Sequence, residues 1–106
     1  MVDKILSGIG VKYKAVRFLK PPKEPYVVYF HDTTYRGGDD LIAIEDHSLR
    51  LELYSETLQP ELEEKIVQRL IDLKLGFDKG EPLWLGNSEN TYMIAFYIEY
   101  TKKRSK

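Results

Sequence analysis

Residues 91–100, TYMIAFYIEY, are apolar on both alternating sets, with Tyr92, Ile94, Phe96, Ile98 and Tyr100 on one and Met93, Ala95 and Tyr97 on the other. Successive side chains of a strand point to opposite faces, so this pattern specifies a strand covered on both sides and central to a sheet. PYVVYFHD, residues 25–32, repeats it, with Tyr26, Val28 and Phe30 against Val27 and Tyr29. Around these strands LIAIEDH and LRLELYSE read as two further strand-like runs. The second turns Leu49, Leu51 and Leu53 inward and Arg50, Glu52 and Tyr54 outward, and Asp46, His47 and Ser48 fall where a turn or bulge belongs between the two runs.

The cover comes from helices. PELEEKIVQRLIDLKL places Leu62, Ile66, Leu70 and Leu73 in one stripe, broadened by Val67 and Ile71. Pro60 suits the first helical position, Glu61, Glu63 and Glu64 complement the positive end of the dipole, and Gly76 is placed to cap the other end. This predicts a helix over about 60–75. A second, short helix is expected over 2–8, stopped by Gly8 and Gly10. Residues 11–19 read as a half-exposed strand, and Pro21, Pro22 and Pro25 then exclude both helix and central ladder, because proline has no N–H to donate. Turns are expected at 78–80 and 86–90, on either side of a short strand around Leu83, Trp84 and Leu85. The expected architecture is α+β: an antiparallel or mixed sheet with one main amphipathic helix and a short N-terminal helix on one face.

The chain is 106 residues long with 42% hydrophobic and 31% charged residues, which suits one domain over 1–106. The absence of cysteine excludes disulfides, thiolate metal sites and a cysteine nucleophile. The first residues lack the basic region and apolar core of a signal peptide, and no apolar run approaches a membrane span. The net charge of −1 conceals a segregation: six Lys/Arg against two acids in 1–30, six against fifteen in 31–100, and four against none in 101–106. The body is acidic and the ends are basic, and the last residues, about 102–106, are expected to form a short flexible basic tail.

No catalytic or phosphate-binding motif occurs, and the two histidines, His31 and His47, each adjoin an acid that a strand would turn to the opposite face. A composite oxygen-rich cation site from His31, Asp32, Asp39 and Asp40 is the one metal arrangement the spacing permits, against the simpler reading of solvated acids. Neither a catalytic nor a metal site is expected, and no cofactor. The eight tyrosines lie mostly on strands, which suggests that the sheet face away from the helices also serves as an interface. The segment TTYRGGDD reads as the clearest loop and supplies the candidate contact residues Thr33, Thr34, Tyr35, Arg36, Gly37, Gly38, Asp39 and Asp40.

In order and length, a short N-terminal helix, KPPKEPYVVYF, a loop, LRLELYSETLQPELEEKIVQRL and NTYMIAFYIEY resemble the small tail-completion or tail-terminator proteins of long-tailed bacteriophages (siphovirus-like) and related prophages. The resemblance implies an α+β virion protein, not an enzyme, made in the bacterial cytoplasm. It implies assembly into a ring, generally hexameric, on the head-proximal end of the tail tube. That ring stops tube growth and offers the head its docking surface. The implied partners are other copies of the chain, the major tail tube protein and the head–tail connector, with DNA only in passage and no membrane. A neck protein on the portal side, or a non-viral interaction module, has the same composition. An acidic inner wall would suit a ring threaded by DNA, since it avoids adhesion to phosphates.

Overall fold

In the computed structural model, which describes residues 1–23, 25–37, 42–86 and 90–105, the chain runs α1 (Val2–Leu6), β1 (Lys12–Ala15), β2 (Tyr26–Arg36), β3 (Ile42–Ser55), α2 (Pro60–Asp72), β4 (Gly76–Lys79), β5 (Leu83–Leu85) and β6 (Thr91–Ser105). The strands form one mixed six-stranded sheet in the order β1-β2-β3-β6-β4, with β5 also paired to β6. Only β1 and β2 are parallel; the remaining pairs are antiparallel. The fold is therefore α+β, as the periodicities predict, and β6 and β3 hold the centre.

One face carries the core. Leu49, Leu51 and Leu53 of β3 stand beside Val27 of β2 and Ile94, Phe96 and Ile98 of β6, and Ile66 and Leu70 of α2 with Ile5 and Leu6 of α1 close over them. Polar contacts fix the helices to the sheet and to each other. Arg69 Nη1 of α2 donates to the carbonyls of Lys4 and Ser7, both at 2.9 Å, satisfying acceptors at the end of α1. Tyr13 of β1 donates to Asp3 of α1 at 2.6 Å, and Lys79 Nζ of β4 meets Glu63 of α2 at 2.9 Å. The opposite face is partly covered by the chain leaving β1. Arg17 N–H bonds back to Ala15 O at 2.7 Å around Val16 (φ 65°), which turns the chain so that Phe18 packs edge-on against Tyr26, 5.3 Å between centroids. Val28 is thereby buried, Tyr54 stacks on Tyr26, and Arg50 lies over Phe30.

Five local expectations are corrected. First, β3 is continuous from Ile42 to Ser55, with no turn or bulge at Asp46, His47 and Ser48, because its register with β2 and β6 advances residue for residue throughout. Second, Thr33–Arg36 are not loop but the end of β2, where β-branched and aromatic side chains each find a partner in β3. Third, residues 102–105 are not a flexible tail: β6 extends to Ser105 and pairs Lys102 with Glu45 and Lys103 with Ile44. Fourth, Asp78 and Lys79 are strand, paired with Tyr97 and Phe96. Fifth, α2 ends before Gly76. Leu75 N–H bonds Leu70 O at 3.0 Å and Lys74 N–H bonds Ile71 O at 2.9 Å, a Schellman pair with Lys74 left-handed at φ 58°. The cap is set by these bonds, so the glycine two residues later begins β4 instead.

Two substitutions test this account by chemical denaturation. Phe96→Ala, at a fully buried site, lowers stability by about 3–5 kcal/mol through lost transfer energy and a residual cavity. Lys74→Gly raises it by about 1 kcal/mol, because glycine relieves the left-handed cap at an exposed position.

Candidate interaction surface

The helices cover only part of the long strands. β1 pairs with β2 over Tyr26–Tyr29, and β4 pairs with β6 over Phe96–Glu99, so beyond those positions three strands continue together: 30–36 of β2, 42–50 of β3 and 100–105 of β6. This three-stranded arm makes the molecule elongated, 52 × 27 × 22 Å.

On the face continuous with the core, the alternation Leu53, Leu51, Leu49 is followed by His47 and Glu45, and β2 and β6 contribute His31, Thr33 and Tyr35, and Tyr100, on the same side. His47 Nε2 lies 2.9 Å from Glu45 Oε1, and the Glu45 residue is only 4% exposed. With Glu45 as a carboxylate and His47 as a neutral imidazole, His47 Nε2 carries the proton and its Nδ1 accepts. His31 Nε2 then donates to that Nδ1 at 2.8 Å. Thr33 Oγ1 reaches the same nitrogen at the longer distance of 3.2 Å. The His47 ring lies flat on Tyr100, 4.6 Å between centroids and 2° between planes. The result is a donor chain from β2 through β3 that ends on a buried carboxylate, and the threonine hydroxyl shares its base with a nearer imidazole.

The His31 pKa is lowered, first by burial and then by His47 and the chain's amino terminus, against a smaller opposing effect of Asp32. Burial, with a smaller effect of Glu45, raises that of Tyr100. On the other face Arg36 Nε donates to Asp46 Oδ2 at 2.7 Å, and Thr101 Oγ1 donates to Asp46 Oδ1 at 3.1 Å, linking all three strands. Arg36 holds the Asp46 carboxyl below its usual range.

Of the eight expected contact residues, Thr33, Thr34, Tyr35 and Arg36 lie on the arm, with Thr33 and Tyr35 on the histidine face and Thr34 and Arg36 opposite. Gly37 follows with φ 127°, and Gly38, Asp39 and Asp40 lie outside the described residues. The composite cation site does not form from its described members, since His31 and Asp32 point to opposite faces. Among the described residues no group of three or more His, Cys, Asp or Glu side chains converges as metal ligands. The meeting of His31 with His47 was missed in the sequence. The signal was available in the inward parity of Leu49, Leu51 and Leu53, which, continued backwards, selects His47 and Glu45. No helix among the described residues is long and apolar enough to cross a membrane.

No protein-family model matches this sequence, and no curated protein matches it by sequence. Among solved structures, one chain of the virion of a native gene transfer agent particle aligns over 98% of this chain and 85% of its own length, at 12% identity and a TM-score of 0.59. This chain therefore has the fold of a component of a phage-like virion. The periplasmic domain of XcpY (16% identity, 48% of this chain, 59% of its own, TM-score 0.33) and a chain from a structure concerned with H-NOX activation (10%, 78%, 38%, 0.41) align at scores too low to define a common fold.

The histidine chain predicts a pH dependence. Because the folded-state value of His31 lies below the unfolded one near 6.5, the unfolded chain takes up its proton first. The contribution is complete above about pH 6.5 and declines as the pH falls through the window beneath it. Thermal denaturation at pH 7.5 and 5.0 checks this: the wild-type midpoint falls further than that of His31→Asn, which has no proton to gain.

Proposed function

We propose that this chain is a structural protein of a tailed, phage-like virion and acts as its tail terminator. In this reading it forms a ring on the head-proximal end of the tail tube, stops tube growth and presents the surface to which the filled head docks. The observation that carries it is the alignment of nearly the whole chain with a chain of a gene transfer agent virion, which covers helices, sheet and arm together. The order of motifs in the sequence, from PPKEPYVVYF to NTYMIAFYIEY, supports the finer assignment to the terminator position.

The distribution of chemistry agrees with an assembly role. The most exposed large apolar side chains are Leu19, Tyr35, Val16, Ile71, Leu83 and Tyr97, spread over the segment after β1, the arm, α2, β5 and β6, as suits a subunit with several neighbours. A ring subunit needs one surface for the next copy and others for tube and connector, and its two binding faces toward its own kind differ. Thr33, Thr34, Tyr35, Arg36 and Gly37 are proposed contact residues on the arm, with Gly38, Asp39 and Asp40 next in the chain. The partners are further copies, the major tail tube protein and the connector, and the protein resides at the tail–neck junction of the virion. No cofactor enters this function.

Electron microscopy of particles made without this gene tests the assignment. Filled heads beside separate tails of uncontrolled length are the expected result, because only the stop signal is missing. Tails of normal length with leaking or empty heads move the protein to the portal side of the neck. Intact virions overturn both positions.

A further inference from the structure

The arm has two open edges. Among the described residues no strand pairs with the outer side of β2 beyond Tyr29, and none pairs with the outer side of β6 beyond Glu99. The open segments, 30–36 and 100–105, overlap in level along the arm: Thr34 and Thr101 share Asp46 as partner, and Arg36 and Lys103 share Ile44. Such edges are ordinarily protected by prolines, bulges, a covering element or charged side chains, of which the β6 segment has Lys102, Lys103 and Arg104. Here neither segment contains proline, and the registers show no bulge. The one cation of the β2 edge, Arg36, is drawn across its own face to Asp46.

We propose that these edges bind each other between successive copies, with 100–105 of β6 in one copy alongside 30–36 of β2 in the next, so that the arms form one continuous sheet. Three observations select this partner and this order. Both β2 and β6 are antiparallel to β3 and hence parallel to each other, so a neighbour in the same orientation offers β2 where β6 needs a partner. A two-fold pairing of β2 on β2 leaves both β6 edges unsatisfied, whereas the head-to-tail order satisfies every edge but the last and closes when the rotation does. Pairing β6 on β6 places Lys102 and Lys103 of the two copies against each other, which like-charge repulsion disfavours, whereas level pairing of β6 on β2 sets Lys103 beside an Arg36 that Asp46 already neutralises. β1 and β4 limit the shared ladder to the arm, since they occupy the same edges from Tyr29 and Glu99 toward the helices. The arm is three strands wide and the body five, so neighbours joined at the arm must splay at the body, the taper of a wedge. This deepens the ring reading and rests on it for closure alone; the edge contact is tested both in solution and on particles.

The chain has no cysteine, so engineered thiols are its only ones. Thr34→Cys and Thr101→Cys lie on one face, are exposed, and share a level, and Asp32→Cys with Thr101→Cys covers a stagger of two residues. Full-length double variants, with circular dichroism matching the wild type, are oxidised in concentrated solution and on the virion particles, and separated without reductant. A ladder of covalent multimers from a double variant, with monomer from each single variant, is expected. A dimer from Thr34→Cys alone reports β2 on β2 and overturns the proposal. Multimers captured by an amine-reactive cross-linker without edge disulfides place the contact elsewhere, overturning the edge pairing while leaving the ring. Absence of any edge disulfide, in solution and on particles alike, also overturns it. Failure of the terminator reading appears separately, as intact virions in the deletion experiment.

Discussion

The unbroken ladder between β3 and β6 is the constraint on which the rest of the molecule depends. Fourteen consecutive residues of β3 are partnered, from Ile42 with Ser105 to Ser55 with Tyr92, without a bulge. At about 3.3 Å per residue such a ladder carries one alternation of side chains nearly the whole length of the protein. At one end that alternation buries Leu51, Leu53, Phe96 and Ile94 beneath the helices. At the other it fixes which face receives His47, Glu45 and Tyr100. A slip of one residue would expose the leucines and bury Arg50 and Glu52, so the core pins the register and the arm inherits it.

The arm is held differently from the body. Its order comes from cross-strand pairs: the flat stack of His47 on Tyr100, the bond between His31 and His47, and Asp46 bridged by Arg36 and Thr101. Pairs of this kind contribute about 0.2–1 kcal/mol each, and exposed ion pairs about as little. The buried leucines and phenylalanine under the helices contribute several times more apiece. The arm is thus the low-stability end of a continuous sheet, able to open or adjust while the body stays folded.

How much was legible follows from which physical signal each element carried. β6, β2 and the leucine half of β3 were clear because apolar alternation reports burial, and α2 was clear from its stripe. β3 was read as two strands broken at Asp46, His47 and Ser48 because these are turn-forming residues in isolation, and nothing local announces that both neighbours continue past them. Lys102 and Lys103 read as a solvated tail for the same reason: their strand pairing is non-local, with residues of β3 more than fifty positions away. The cap of α2 was displaced to Gly76 by glycine's preference for left-handed backbone, whereas the hydrogen bonds of Leu75 and Lys74 place that conformation on a lysine. The candidate contact segment was read as a loop, whereas Thr33–Arg36 continue β2. Thr33–Arg36 are a strand edge, and a strand edge offers a neighbour ordered backbone donors and acceptors that a loop does not.

The charge segregation acquires a meaning only in this fold. Read along the chain, basic ends flank an acidic body, which suggests opposite fields in separate places. The sheet instead lays the basic C-terminal strand beside the acids of β3, so that Lys102 is the register partner of Glu45. Over the arm, 30–36, 42–50 and 100–105, there are five Lys/Arg against three acids. The acids of β2 and β3 thus offset most of the basic strand, while exposed acids such as Glu61 and Glu64 lie on α2. A small net charge limits the long-range repulsion between identical arms brought side by side. The strand that reads as a solvated basic tail in the sequence is, once paired, an ordered strand beside the acids of β3.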